Sequence, residues 1–304
     1  MALALYIVVG ASLLFFAVGC IRRVWQYASL PVHLRWELYP VPHESPERAA
    51  HGGSYFEESE WWTKPRRFHR MGELRVMAAE IFAFDSIREP NPTLWWRTLL
   101  FHFGMYCVVA FLFLELAMFA ASGQLFANLI SEIGPLAILI GRVGLVLVLI
   151  GSLALLRRRT ADRNLRDYTH TADYIHLCFV ALTSLLLFAG SLVAAAPSPR
   201  TLVRGLLTLD TQVHIPGLLF AGFLLALCLP AYIPYSHMAH FIAKYFTYHS
   251  VRWDDASNTA PHVARSVAQS LAYRPTWWAV HMGADGKRTW SEIATDNPFQ
   301  EVRK

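Results

Sequence analysis

The sequence predicts an all-α integral membrane protein, a five-transmembrane helix bundle with a cytoplasmic insertion and a C-terminal tail. Three observations predict it. Of the 304 residues 55% are hydrophobic and only 16% charged, a lower charged share than a soluble domain of this size carries. The apolar residues gather in runs of membrane-crossing length, and about 20 helical residues cross roughly 30 Å of hydrocarbon. Between the runs, lysine and arginine alternate between dense and sparse.

The first span is expected over residues 2–21, in MALALYIVVGASLLFFAVGCIRR. No basic residue precedes the apolar run and two arginines follow it, which points to an uncleaved helix and not to a secretory signal. A polar segment, 22–92, separates it from the second span at 94–120. The third is expected over 133–156 and the fourth over 172–196. The fifth starts near 212 and extends as far as 245, with Pro216, Pro230 and Pro234 placed to bend it or to let its end leave the membrane. The chain thus divides into a first helix (1–21), an insertion (22–93), a four-helix transmembrane bundle (94–245) and a tail (246–304).

Orientation follows from the positive-inside rule. The segment from Arg22 to Arg97 holds eleven Lys and Arg, the connection after the third span five, and the tail from Lys244 onward eight. The connection 121–132 holds none, and the one before the fifth span holds Arg200 and Arg204. Basic and poor segments alternate as a five-span chain requires with its N-terminus outside and its C-terminus cytoplasmic, in a prokaryotic inner membrane. The formal net charge of +5 is therefore read as orientation and headgroup contact, with no nucleic-acid partner.

Cys20, Cys107, Cys178 and Cys228 fall in or beside apolar runs and form no CxxC, which argues against an iron–sulfur cluster or zinc site within this chain. The insertion carries WELYPVPHE, YFEESEWW and a helix-like stretch at 71–84; the tail carries Trp253, Trp277, Trp278 and Trp290. Tryptophan this dense is foreign to disordered chain. It suits either headgroup contact or a docking surface for cytoplasmic subunits. There is no internal repeat and no phosphate-binding glycine loop.

Polar residues inside spans are costly and mark function by default. His102 lies about two turns into the second span, in LLFHFGMYC, and His240 near the cytoplasmic end of the fifth, in YIPYSHMAHF. The two spans are antiparallel, so the two imidazoles fall at similar depth, as bis-histidine ligation of a b-type haem between helices requires. Gly104 is positioned to give a flat macrocycle room. His237 is the rival to His240 for the ligand position. His176, at the inner end of the fourth span, is a candidate propionate partner, quinone ligand or replacement axial ligand. His214, at the outer end of the fifth, has Met118 and Glu115 as conceivable partners for a second haem. Arg142 is expected to pair with Glu115 or a backbone carbonyl, and Asp173 to cap the fourth helix.

With these residues the chain resembles the gamma subunit of respiratory nitrate reductase, and more nearly the related membrane cytochromes of heterodisulfide-reductase-like and sulfite-reduction-associated complexes. LLFHFG, PYSHMAH, and GSLALLRRR followed by TADYIHL carry the resemblance, which covers about 94–249 and leaves the 22–92 insertion outside it. It implies axial ligation of haem iron by His102 and His240, with Arg157 or Arg158 paired to a propionate. The family's two remaining ligand positions are Leu112 and Gly222 here. Both ligands of an outer haem are missing together, so one haem b is expected. The implied function is electron exchange between a quinone or menaquinone pool in the lipid bilayer and a cytoplasmic iron–sulfur, heterodisulfide-reductase-like partner subunit, with His176, His237 and Lys244 as quinone candidates and His214 as an alternative quinol base. A haem-free membrane anchor or transporter is the competing reading.

Overall fold

The structure is a computed structural model that describes residues 2–30, 40–65, 67–120, 124–279 and 282–296, with the backbone alone for residues 2 and 124–132. The first four residues of WELYPVPHE and, among the basic residues counted above, Arg35, Arg66, Arg303 and Lys304 lie outside the described residues.

The chain is an all-α, multi-pass membrane protein. Among the described residues five helices are long and apolar enough to cross a bilayer: Leu3–Ala28, Pro92–Ala120, Ile133–Ala161, Thr171–Gly190 and Gly217–Tyr235. Their boundaries differ from the sequence expectation for physical reasons. The first continues past Arg22 and Arg23, since charge alone does not stop a helix and the next breaker is Pro31. The fourth ends at Gly190, with Ser191 N bonded back to the Leu187 and Phe188 carbonyls as its C-cap. The fifth begins only after Pro216 and ends at Tyr235, because Pro234 has no N–H to continue it and Ser236 is extended.

The residues fall into two compact units. The first comprises Met1–Cys20 and Arg75–Met238. In it the second span packs on the third, the third on the fourth and the fourth on the fifth. The first span joins the fifth: Ser12 donates its hydroxyl to the Leu227 carbonyl, Gly19 lies against Pro234, and Leu5 shares an apolar cluster with Ile215 and Leu219. Lipid tails are as apolar as leucine, so the helices gain by close backbone approach, which small residues permit. A Cβ on Gly104 would lie 2.6 Å from Val148 N, one on Gly144 2.9 Å from Gly104 O, and one on Gly151 2.7 Å from Phe101 Cα. Gly104 therefore serves the contact with the third span. The space that the sequence suggested for a macrocycle is filled there by a neighbouring backbone. The third span is the most buried of the five; the second and fifth are the least buried and make no extensive contact with each other.

The second unit comprises Ile21–Leu74 and Ala239–Lys304, which brings the insertion and the tail together. Its centre is His43, which stacks on Phe68 at 4.5 Å and bonds Asp255 through Nε2 at 3.2 Å; the Tyr55 hydroxyl bonds the same carboxylate. The neighbouring Glu44 is buried and accepts from Val41 N, Tyr55 N and the Ser54 hydroxyl. Trp253 is buried against Tyr248, whereas Trp62, Trp277 and Trp278 are exposed. Near the C-terminus a two-stranded hairpin, Trp278–Ala279 with Ala284–Asp285, is followed by the helix Trp290–Thr295. The backbone N–H groups of Arg288 and Lys287 bond Asp285 and hold its carboxyl down at about 2.

Gly104→Ala or Gly151→Ala must separate two backbones, and overpacking of this kind costs about 1–3 kcal/mol. Gly10, with nothing within 4 Å of its would-be Cβ, is the matched control. Thermal unfolding in detergent micelles is expected to fall for the first two and hold for Gly10→Ala. The lowered Asp285 carboxyl contributes stability that is present above the ordinary aspartate pKa and is lost as pH falls toward about 2. Pepsin cleavage of the tail should accelerate over that window relative to Asp285→Asn measured at the same pH.

Candidate functional site

The second span opens at Pro92, where the Asn91 side chain accepts from Leu94 N at 3.0 Å. Roughly two turns on, His102 Nδ1 lies 2.9 Å from the Thr98 carbonyl. A carbonyl only accepts, so Nδ1 carries the proton and donates it. Phe84 lies 4.7 Å from the imidazole and Phe101 5.1 Å. Phe84 is held there by the preceding segment. Trp95 Nε1 donates to the Ala83 carbonyl at 2.6 Å, the Tyr106 hydroxyl to the Ile81 carbonyl at 2.7 Å, and buried Glu80 accepts from Ser86 N at 2.7 Å. The helix-like stretch expected at 71–84 is thus a helix, Arg70–Ala78, prolonged by a wider turn at Ala79–Ala83.

A second constellation forms where the fourth span begins and the fifth ends. Asp173 and His176 are three apart on one helix and so share a face. Asp173 Oδ2 accepts from His170 N at 3.2 Å, which is the expected capping role, and lies 3.4 Å from Arg159 Nη1. The other oxygen, Oδ1, faces His237 Nε2 at 3.3 Å. His176 is 6% exposed, its Nε2 bonds the Tyr232 hydroxyl, and its ring lies 4.4 Å from that of His237 at 79°. Its Nδ1 is buried and has no hydrogen-bond partner among the described residues. The break after Tyr235 is what delivers His237: Ser236 Oγ donates to the Ile233 carbonyl and accepts from Met238 N, turning the chain back under the fourth span.

Other residues singled out by the sequence are dispersed. His240 opens the short helix His240–Phe246 and is exposed; it belongs to the second unit, His102 to the first. Lys244, on the same short helix, lies 5.8 Å over the Tyr248 ring. Arg157 is exposed and Arg158 half-buried. His214 is exposed in the connection ahead of the fifth span. Glu115 is buried and faces Arg200, which also donates to the Met118 carbonyl at 3.5 Å. Arg142 takes the backbone option, donating to the Ser191 carbonyl at 3.0 Å. Leu112 is an exposed side chain of the second span, and a Cβ on Gly222 would stand 2.9 Å from Leu187 N.

The sequence reading weighed Arg157 and Arg158, yet Arg159 is the arginine that reaches Asp173. The signal was available: a helix that ends RRR ahead of an aspartate opening the next helix. Tyr232 and His43 were also missed, because neither has a short-range pattern that marks its partner. No protein-family model matches the chain, and neither the curated proteins nor the solved structures contain a significant match.

Asp173→Ala removes the acceptor for His170 N together with both ion-pair partners. A lost helix cap costs about 1 kcal/mol, so a lowered unfolding temperature in micelles is expected, with Asp173→Asn, which keeps an acceptor oxygen, close to the parent.

Proposed function

We propose that the chain is the membrane cytochrome b subunit of a respiratory complex, exchanging electrons between a quinone or menaquinone pool and a cytoplasmic iron–sulfur partner. The observation that carries this reading is His102. It is an imidazole on a lipid-crossing helix, oriented through Nδ1 by the Thr98 carbonyl, on a span that makes no extensive contact with the fifth. A histidine whose Nδ1–H is tied to a backbone carbonyl is oriented as a metal ligand and made more basic. In this reading His102 and His240 would hold the iron of a porphyrin, and Arg157 or Arg158 would offer a charge-assisted partner to a propionate. A b-type haem supplies one-electron transfer when bound.

The remaining work falls to the chain. Phe84 and Phe101 pack around His102 and limit the rotation of its ring. The Thr98 carbonyl keeps the Nδ1 proton in place. Gly222 is occupied in backbone packing and Leu112 is exposed on its span, which favours a single haem. The distribution of Lys and Arg supports an N-terminus outside and a cytoplasmic second unit, and the resemblance adds a prokaryotic inner-membrane location. The exposed Trp62, Trp277 and Trp278 suit contact with a partner subunit.

Membranes containing the chain should give a reduced-minus-oxidised b-type α band with one haem per polypeptide. His102→Ala and His240→Ala are each expected to abolish it, and His237→Ala to retain it. A band that survives His102→Ala, two haems per chain, or no band at all overturns the reading; the last result favours a haem-free anchor or transporter.

A further inference from the structure

We propose that Asp173, His176 and His237 form a binding site for a divalent first-row transition metal of the Zn²⁺ or Fe²⁺ class. One ligand atom from each residue lies within 4.8 Å of the others. Bonds of about 2.0–2.2 Å at tetrahedral angles hold ligand atoms roughly 3.4 Å apart. The His237 Nε2–Asp173 Oδ1 edge, at 3.3 Å, already has that length. The other edges, each within 4.8 Å, need to shorten by at most about 1.4 Å to reach the same tetrahedral spacing, through rotation of exposed His237 together with a small adjustment of Asp173 and His176.

Each ligand is oriented from behind, as metal ligands are. Asp173 Oδ2 is held by His170 N and Arg159, which turns Oδ1 toward His237. His176 Nε2 is engaged by the Tyr232 hydroxyl. With Nε2–H donating to the tyrosine oxygen, Nδ1 is the atom left to bind. The Asp173–His237 ion pair by itself does not explain the orphaned state of this buried nitrogen, and folded proteins seldom leave such an atom unsatisfied; a bound cation satisfies it. Two imidazoles and one carboxylate suit zinc and non-haem iron and exclude calcium and magnesium, which take oxygen ligands. His237 is more than half exposed, so a further coordination position is open to water. In this assignment His176 and His237 serve a cation and not a quinone.

The site shares no residue with the haem reading, and the two are separable by experiment. Full-length protein in detergent micelles is stripped with chelator and titrated with Co²⁺ as a spectroscopic probe and with Zn²⁺ in competition. One Co²⁺ per chain with visible ligand-field bands is expected, displaced stoichiometrically by Zn²⁺. His237→Ala removes an exposed side chain and does not threaten the fold; it should weaken binding at least 100-fold, as should Asp173→Asn. Tyr232→Phe, which removes only the group behind His176, should weaken it 10- to 100-fold, and His262→Ala, on the tail, should leave it within twofold. Binding should persist in His102→Ala, which lacks the haem. Absence of bound Co²⁺, or binding indifferent to His237→Ala and Asp173→Asn, overturns the proposal whatever the haem content.

Discussion

The structure depends on the cost of an unsatisfied peptide group in hydrocarbon. Each N–H and C=O that crosses the bilayer must be bonded within the chain, at several kcal/mol for each failure. Helices meet the demand locally. The places where helix stops are consequently the places where side chains or turns must take over. At the end of the fourth span the Ser191 carbonyl receives Arg142. At its start Asp173 answers His170 N. At the end of the fifth, Pro234 withdraws a donor, and the Ser236 hydroxyl serves as acceptor for Met238 N and donor to Ile233.

The chemistry collects at these interruptions. Asp173 is a cap, an ion-pair partner of Arg159 and a neighbour of His237 at once. His237 reaches it only because the fifth helix fails after Tyr235. A continuous helix past Tyr235 would carry His237 on along the same rod, away from the Asp173 it meets here. His102 is the contrasting case. It sits in unbroken helix, where the carbonyl of residue 98, already in the helical ladder, accepts a second bond from its Nδ1 through the other lone pair.

Glycine sets how tightly the spans meet. Gly104, Gly144 and Gly151 bring the second and third helices to backbone contact, and Gly190 and Gly222 do the same for the fourth and fifth. With these pairs closed, the second and fifth spans are left without extensive mutual contact. Outside the lipid the logic reverses. Water satisfies the backbone, and the second unit is held by His43, Glu44, Asp255 and Trp253 from segments some 200 positions apart.

The sequence alone determined the number of spans, their α-helical character and the placement of His102 on the second, because hydropathy and the length of the hydrocarbon act on each segment without reference to any other. It also contained the Asp173–His176 pair, since a three-residue spacing fixes one helix face. Only the tertiary structure decided that Gly104 belongs to helix packing, that Arg159 and not its neighbours meets Asp173, that Tyr232 stands behind His176, that His237 joins them, and that the insertion and tail form one unit. Each of these depends on where a helix ends and which face it turns to a neighbour. Those choices are settled by the summed packing of whole elements, which no local pattern encodes.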